Sequence, residues 1–129
     1  MSTSRPVRFV LPAACLVLAL GAVAPGRLDE AARAQESTQE FTISAHKYAF
    51  APPRLEVRQN DLVKITLTSD DIPHSFTIDS YRIVKRVNAG QTVVFEFRAD
   101  EVGRFPFYCN LTIDEGCKAM RGELVVGPR

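Results

Sequence analysis

Two cysteines and a methionine lie close together near the end of the chain. Cys109, Cys117 and Met120 fall on one loop between two apolar, strand-like runs. Thiolate and thioether sulfurs are soft, polarisable ligands, which suit copper better than magnesium or calcium. A corner between two strands can hold three such sulfurs near one point, so these residues predict a soft-metal site. His74, which opens an apolar segment after a loop, is the candidate for a fourth ligand.

The same two cysteines also suit a disulfide. Paired cysteines are common in exported proteins, and the separation of Cys109 from Cys117 permits the bond. Metal ligation and a disulfide exclude each other at one moment but can interconvert by oxidation and reduction. Metal ligation and a disulfide therefore both stay open as interpretations of Cys109 and Cys117.

The first 34 residues have the composition of an export signal. Two arginines precede the apolar run from Phe9 to Ala24, and Ala32 to Ala34 offers the small-x-small pattern of a cleavage site. The apolar run is shorter than the roughly 20 residues that span a bilayer. We expect residues 1–34 to be a signal peptide, with an uncleaved N-terminal anchor as the alternative, and residues 35–129 to form one domain in the periplasm or otherwise outside the cytoplasm.

The expected mature chain is nearly neutral. Residues 35–129 carry 12 Lys and Arg against 13 Asp and Glu, a net charge of −1. The absence of a basic block or an aromatic-interleaved basic stripe argues against nucleic acid as a partner. A membrane is expected as a partner only if the N-terminal segment is retained. No nucleophile–base pair, phosphate cradle or carboxylate dyad stands out, so we do not expect an independent enzyme.

Apolar and polar residues alternate with a period of two along much of the mature chain, which is typical of half-buried strands. The segment 62–68 shows this well, and we expect it to be an antiparallel strand. No segment shows a helical apolar stripe. Roughly seven short strands with turn residues between them predict an all-β, Greek-key β-sandwich. The strand-like segments are 41–46, 55–58, 62–68, 74–79, 82–87, 91–98, 105–109 and 123–127.

Five motifs together resemble the cupredoxins, most of all the copper domain of cytochrome c oxidase subunit II and of nitrous-oxide reductase, and small secreted cupredoxin-domain proteins. In chain order they are Phe50-x-Pro52, the segment 71–78, Gly90 before an alternating strand, the segment 103–109 and the segment 120–126. The resemblance covers nearly the whole expected mature chain. It implies a copper ion as cofactor.

The resemblance assigns ligand roles residue by residue. His74 resembles the upstream histidine ligand, Cys109 the thiolate and Met120 the thioether. The dinuclear relatives have a second cysteine four residues after the first and a histidine eight residues after it, where this chain has Ile113 and Cys117. A dinuclear site is therefore not expected.

A mononuclear blue-copper centre uses two histidines, a cysteine and a weak axial methionine. The second histidine of the mature chain is His46, which ends the first strand and is a further ligand candidate. The set of His74, Cys109, Cys117 and Met120 would favour Cu(I), which is softer than Cu(II).

Three functions follow as hypotheses. The first is an exported, mononuclear electron-transfer protein with a redox partner. The second is a Cu(I) chaperone or scavenger that delivers copper to a cuproenzyme. The third is a non-metal domain held by a Cys109–Cys117 disulfide.

Overall fold

Nine β-strands, one short α-helix and one 3-10 turn (Asp79–Tyr81) make up the computed structural model, which describes residues 37–129. The predicted signal segment, residues 1–34, lies outside the described residues. The strands are β1 (Thr38–His46), β2 (Ala49–Ala51), β3 (Arg54–Arg58), β4 (Leu62–Ser69), β5 (His74–Ile78), β6 (Ile83–Val87), β7 (Thr92–Arg98), β8 (Gly103–Tyr108) and β9 (Arg121–Gly127), and the helix is α1 (Glu115–Ala119).

The strands form two sheets, which confirms the predicted all-β sandwich. One sheet has the order β2-β1-β4-β7 and the other the order β3-β9-β8-β5-β6. The predicted antiparallel character of 62–68 is only half right, because β4 pairs antiparallel with β7 but parallel with β1. Alternation reports which face of a strand is buried, and it carries no information about the direction of the neighbouring strand.

The buried faces follow the alternation. Val63, Ile65 and Leu67 of β4 are fully buried, and the residues between them are half-buried. Strand β5 differs, because all five of its residues are buried. It lies between β8 and β6, and the hydroxyl of Ser75 on this strand bonds Asn110 after β8. A polar side chain is therefore enclosed near the start of β5 and needs partners there.

The loop from Cys109 to Met120 contains the helix α1, so the expectation that the mature chain lacks helices is wrong for this turn. Five residues are too few to show a helical stripe of apolar residues. The helix depends on its cap, because Asp114 accepts a hydrogen bond from the backbone N–H of Gly116 at 2.9 Å. Residues 37–129 include no helix that is both long and apolar enough to cross a membrane.

Four of the five phenylalanines buried within residues 37–129 form one aromatic cluster in the core between the sheets. Phe76 stacks on Phe107 with ring centres 4.7 Å apart, and Phe50 meets Phe107 edge-on at 5.3 Å. Phe95 approaches Phe76 at 5.5 Å. Such aromatic pairs add about 0.5–1.5 kcal/mol beyond the area that they bury. Strand β5 is anchored by this cluster two residues after His74.

Gly122 provides a test of this packing. A Cβ at this position would collide with the ring of Phe107 and lie 2.7 Å from the backbone oxygen of Pro53. We expect Gly122→Ala to lower the free energy of unfolding by about 1–3 kcal/mol, because the core must shift to accept the methyl group. Urea denaturation followed by circular dichroism measures this. Gly127→Ala on the same strand is the control, since its Cβ would lie 3.8 Å from the nearest atom, and equal losses in both variants would contradict the packing argument.

Asp61 is a buried carboxylate at the opposite end of the sandwich from α1. It accepts hydrogen bonds from Ser37 Oγ at 2.8 Å and from the backbone N–H of Arg58 at 3.0 Å, and it pairs with Arg129. Burial opposes its ionisation, but these hydrogen bonds and the charge of Arg129 outweigh burial and hold the pKa of Asp61 below its usual value. Its folded-state pKa therefore lies below its unfolded-state pKa.

A group with a lowered folded-state pKa stabilises the fold above its unfolded pKa of about 3.9, and the contribution disappears as the pH falls through the folded value. We expect Asp61→Asn to cost roughly 1–3 kcal/mol at pH 7 and clearly less at pH 3. Urea denaturation at the two pH values measures the difference. The exposed Asp70→Asn is the control, with a change within about 0.5 kcal/mol at both pH values, and a pH-independent cost at Asp61 would contradict the interpretation.

Candidate metal centre

The loop with the two cysteines and the start of β5 meet at one end of the sandwich. Strands β8 and β9 pair up to Tyr108 and Arg121, so the loop between them emerges at this end. Strand β5 runs antiparallel to β8 and begins at the same end with His74. The backbone N–H of Ser75 lies 3.4 Å from Cys109 Sγ, which brings the histidine segment directly against the loop.

Cys109 and Cys117 form a disulfide in this structure. Their Cα atoms are 5.3 Å apart, and the side chains are 3 % and 1 % exposed. The disulfide expected as an alternative is thus the state that the structure presents. Neither sulfur is a thiolate in this state, so the metal-ligand roles of the two cysteines stay predictions for the reduced chain.

His74 is fully buried, and its two ring nitrogens differ. Nε2 lies 2.8 Å from Asp71 Oδ1. Nδ1 is buried and has no hydrogen-bond partner. A buried polar atom without a partner is uncommon in native structures and needs a reason. A metal ligand whose other nitrogen is held by a carboxylate is the common arrangement for histidine at metal sites.

The carboxylate of Asp71 holds this histidine in place. Besides His74, it accepts the backbone N–H groups of Lys47 and Ile72, each at 2.6 Å. Partial burial opposes its ionisation, but the bonds from Lys47, His74 and Ile72 outweigh burial and keep the pKa of Asp71 far below its usual range. Asp71 is therefore ionised near neutral pH and acts as an acceptor for all three groups.

Ser75 places two hydrogen-bond donors near the sulfur of Cys109. Its backbone N–H is 3.4 Å from Sγ and its hydroxyl oxygen is 3.7 Å from Sγ. The hydroxyl also lies 2.6 Å from Asn110 Oδ1 and accepts the backbone N–H of Asn110 at 2.8 Å. Two donors are thus within reach of Cys109 Sγ, and among residues 37–129 the hydrogen bonds to sulfur involve this cysteine and not Cys117.

Met120 is fully buried where α1 ends. Its backbone N–H donates to the carbonyl of Cys117 at 3.1 Å, and its carbonyl accepts from the N–H of Cys109 at 3.4 Å. These main-chain bonds close the loop into β9 with Met120 between the two cysteines. The structure thus brings the main chain of Met120 next to Cys109 and Cys117, and the role of its thioether as a ligand stays a prediction.

His46 lies at the end of β1 and is half-buried. The next residue, Lys47, donates to Asp71, so this end of β1 is tied to the segment that holds His74. The turn between β1 and β2 therefore belongs to the same end of the sandwich. The role of His46 as a ligand stays a prediction.

Tyr48 connects this turn to α1. Its hydroxyl donates to Asp114 Oδ2 at 3.0 Å, and this bond raises the pKa of the phenol. Its ring covers Gly116 so closely that a Cβ there would collide with it. Because Lys47 holds Asp71 and Tyr48 holds α1, one turn joins the histidine segment to the cysteine loop.

Sequence reasoning did not identify Asp71, Ser75, Tyr48 or Asp114 as parts of this site. Only Asp71 gave a usable signal, because it lies three residues before His74 on a loop that ends in proline. Within residues 37–129, no group of three or more His, Cys, Asp and Glu side chains is arranged to hold a metal ion. The predicted set contains only three residues of these types, and the disulfide joins two of them.

Comparison with solved structures finds this fold in several copper proteins. Auracyanin A, a "blue" copper protein from Chloroflexus aurantiacus, matches with a TM-score of 0.58 and 17 % identity over 70 % of this chain and 99 % of its own. The metal-binding domain of the Cu(I)-exporting P-type ATPase CopA from Streptococcus pneumoniae D39, solved with Cu(I), matches with a TM-score of 0.57 and 18 % identity over 69 % of this chain and 85 % of its own.

Copper nitrite reductase from Nitrosomonas europaea has a TM-score of 0.62 and 22 % identity over 71 % of this chain and 42 % of the reductase. The chain spans between 39 % and 64 % of the length of three longer copper proteins that it matches, this reductase among them. At these identities the likeness establishes the fold.

The sequence itself matches a family over most of its length. The match covers residues 13–126 and therefore includes both cysteines of the loop, His74 and Met120. The sandwich, the order of the motifs and this match agree, and the chain belongs to the cupredoxin-like domain family.

Proposed function

We propose that the reduced chain is an exported copper-binding protein that holds Cu(I) and delivers it to a cuproenzyme. The ligands in this proposal are His74, Cys109, Cys117 and Met120. The observation that carries it is the ring of His74, which is buried with Nε2 held by Asp71 and Nδ1 without a partner, beside the cysteine loop.

The donor set favours the softer oxidation state of copper. Two thiolates, a thioether and one imidazole form a soft set, and soft sulfur ligands select Cu(I). A blue-copper site would need a second imidazole, and Cys117 occupies the position of that histidine in the dinuclear relatives. The CopA domain supports the proposal, since it has this fold and was solved with Cu(I).

The residues around His74 prepare its Nδ1 for binding. Because Asp71 is ionised, the proton between them resides on Nε2, and a neutral imidazole then has its lone pair on Nδ1. Phe76, two residues after His74 on β5, and Phe107, which stacks on it, are fully buried and keep water out of the adjacent core. A copper ion bound there would experience a low-polarity, sulfur-rich environment, which favours Cu(I) over Cu(II).

Electron transfer by a mononuclear site is the second candidate. A stiff sandwich that holds copper in one geometry for both oxidation states lowers the reorganisation on electron transfer, and auracyanin A is a "blue" copper protein of this fold. The half-buried His46, at the end of β1 that Lys47 ties to Asp71, is the available second imidazole. This candidate requires a redox partner protein, and it requires His46 to replace Cys117.

The location and the mode of action belong to the same proposal. A disulfide is typical of proteins outside the cytoplasm, and its presence in the structure supports export. The proposed partner is a copper-accepting cuproenzyme. In this proposal the chain itself acts as a carrier.

Copper binding should depend on reduction of the Cys109–Cys117 disulfide. We expect the full chain carrying Cys15→Ser to bind one Cu(I) per chain after reduction, and the disulfide form to bind it at least about 100-fold more weakly, because two of four ligands are missing. Competition with a chromophoric Cu(I) chelator measures both affinities. Equal affinity in the two forms would contradict the proposed ligand set.

Two histidine variants test which imidazole takes part. We expect His74→Asn to weaken Cu(I) binding by more than about tenfold, since even the outer partners of metal ligands cost 10–100-fold when they are lost. His46→Asn is the matched control and should leave the affinity unchanged. A large loss in His46→Asn and none in His74→Asn would exclude the proposed set.

The colour of the Cu(II) form separates the two candidates. We expect the reduced chain to give no intense visible absorption after addition of Cu(II), and Cys117→His to give a strong thiolate-to-Cu(II) charge-transfer band, because it completes the two-histidine set. Visible and paramagnetic-resonance spectra measure this. An intense band in the unmodified chain would favour electron transfer, and a colourless Cys117→His variant would contradict the position assigned to residue 117.

A further inference from the structure

We propose that the Cys109–Cys117 disulfide reacts with thiols in one direction, by attack on Cys117 with Cys109 as the leaving sulfur. The chain would then have a second activity, thiol–disulfide exchange with a reducing thiol, besides the copper binding proposed above. Ser75 sets the direction. The inference concerns the metal-free chain, so its test does not depend on whether copper binds.

The two sulfurs have different surroundings. Cys109 Sγ has the backbone N–H of Ser75 at 3.4 Å and the hydroxyl oxygen of Ser75 at 3.7 Å. Within residues 37–129, the hydrogen bonds to the sulfurs of this disulfide both go to Cys109 Sγ. In thiol–disulfide exchange the better-stabilised thiolate leaves faster, so the bond breaks with less cost when the negative charge develops on Cys109.

The hydroxyl of Ser75 can respond to that charge. It has one proton to donate, and its oxygen lies 2.6 Å from Asn110 Oδ1 but 3.7 Å from the uncharged sulfur, so Asn110 is the better acceptor while the disulfide is intact. A hydrogen bond to a charged acceptor is roughly twice as strong as one to a neutral acceptor. When Sγ of Cys109 becomes negative, rotation of the hydroxyl towards it adds a second donor to the fixed backbone N–H.

The reaction balances without any further reagent. A thiolate of the reductant forms a bond to Cys117 Sγ, the Cys109–Cys117 bond breaks, and its electron pair goes to Cys109 Sγ. A second reductant thiolate then attacks the reductant's own sulfur in this mixed disulfide and releases Cys117 as a thiolate. The reductant thiols are oxidised to a disulfide, two electrons reach the chain, and the two thiols formed take up the two protons that the reductant lost.

Access to Cys117 lies through α1. Cys117 is 1 % exposed, so a thiol reaches it only after the helix moves. The helix has a single turn, held by the Asp114 cap and by the Tyr48 ring on Gly116. Loss of the Tyr48 ring should therefore raise the rate at which the disulfide is reduced. The preference of the attacking thiol for Cys117 over Cys109 should stay unchanged.

Mapping the first mixed disulfide tests the direction. The oxidised full chain carrying Cys15→Ser, in which Cys109 and Cys117 are the remaining cysteines, is mixed with glutathione and quenched with acid at short times. Peptide mass spectrometry then measures glutathione on each cysteine. We expect roughly fivefold more on Cys117, the preference that one charge-assisted hydrogen bond gives in a partly charged transition state. Equal amounts, or an excess on Cys109, would overturn the proposal.

Variants identify the cause of the preference. In Ser75→Ala we expect the ratio to fall below about twofold, because only the backbone N–H remains near Sγ. Thr77→Val is the matched control, since Thr77 is buried on the same strand and its hydroxyl has no partner, and its ratio should equal that of the unmodified chain. An unchanged ratio in Ser75→Ala would refute the role of Ser75.

The rate distinguishes local opening from global unfolding. We expect Tyr48→Ala to be reduced about tenfold faster than the unmodified chain with the same Cys117 preference, because weakening of the α1 cover exposes the bond locally. Tyr108→Phe is the control, since its hydroxyl bonds Asp79 away from α1, and its rate should not change. A reduction rate equal to the global unfolding rate would contradict directed attack.

Discussion

The proposed site depends on the hydrogen bonds that the carboxylate of Asp71 accepts. It accepts the N–H of Lys47 from the β1–β2 turn, the N–H of Ile72 from its own loop and Nε2 of His74 from β5. Three segments from both sheets thus converge on one anion, and the hydrogen bonds more than compensate for its partial burial. Without this anion, the imidazole of His74 would have no fixed orientation. Its Nε2 would then not be held by Asp71, and Nδ1 would not be the defined nitrogen without a partner.

The sulfur of Cys109 has two competing roles. As part of the disulfide it closes the loop around α1, and as a thiolate it would be a copper ligand beside His74. One sulfur cannot do both, so the redox state of the pair decides which chemistry the site supports. The Ser75 donors serve either role, because they stabilise negative charge on sulfur whether that charge faces a metal or appears when the disulfide opens.

The sequence predicted the sandwich, and it proposed four residues for a metal site whose redox state it could not predict. Alternation identified the buried faces of strands such as β4, since burial follows the two-residue period directly. It could not show that β1 and β4 are parallel, because pairing direction depends on distant segments. Helix α1 has only five residues and depends on Asp114. Whether Cys109 and Cys117 bind each other or a metal depends on redox conditions, which no residue pattern encodes.

Cys117 affects the geometry of the loop as well as its chemistry, because its sulfur must lie at different distances from that of Cys109 in the disulfide and in a metal site. Sulfurs in a disulfide are roughly 2 Å apart, whereas two thiolates on one metal, each about 2.3 Å from it, are separated by nearly 4 Å in tetrahedral geometry. Exchange between the two states therefore requires the two sulfurs to move apart by nearly 2 Å. Cys109 follows directly on β8, which is paired along its length with β9, and its sulfur is next to Ser75. Cys117 on α1 has fewer such restraints, since the helix is attached to the sandwich through the Tyr48–Asp114 hydrogen bond. A histidine at position 117 could not form the disulfide, so it is the cysteine that adds this separation step to the proposed metal site.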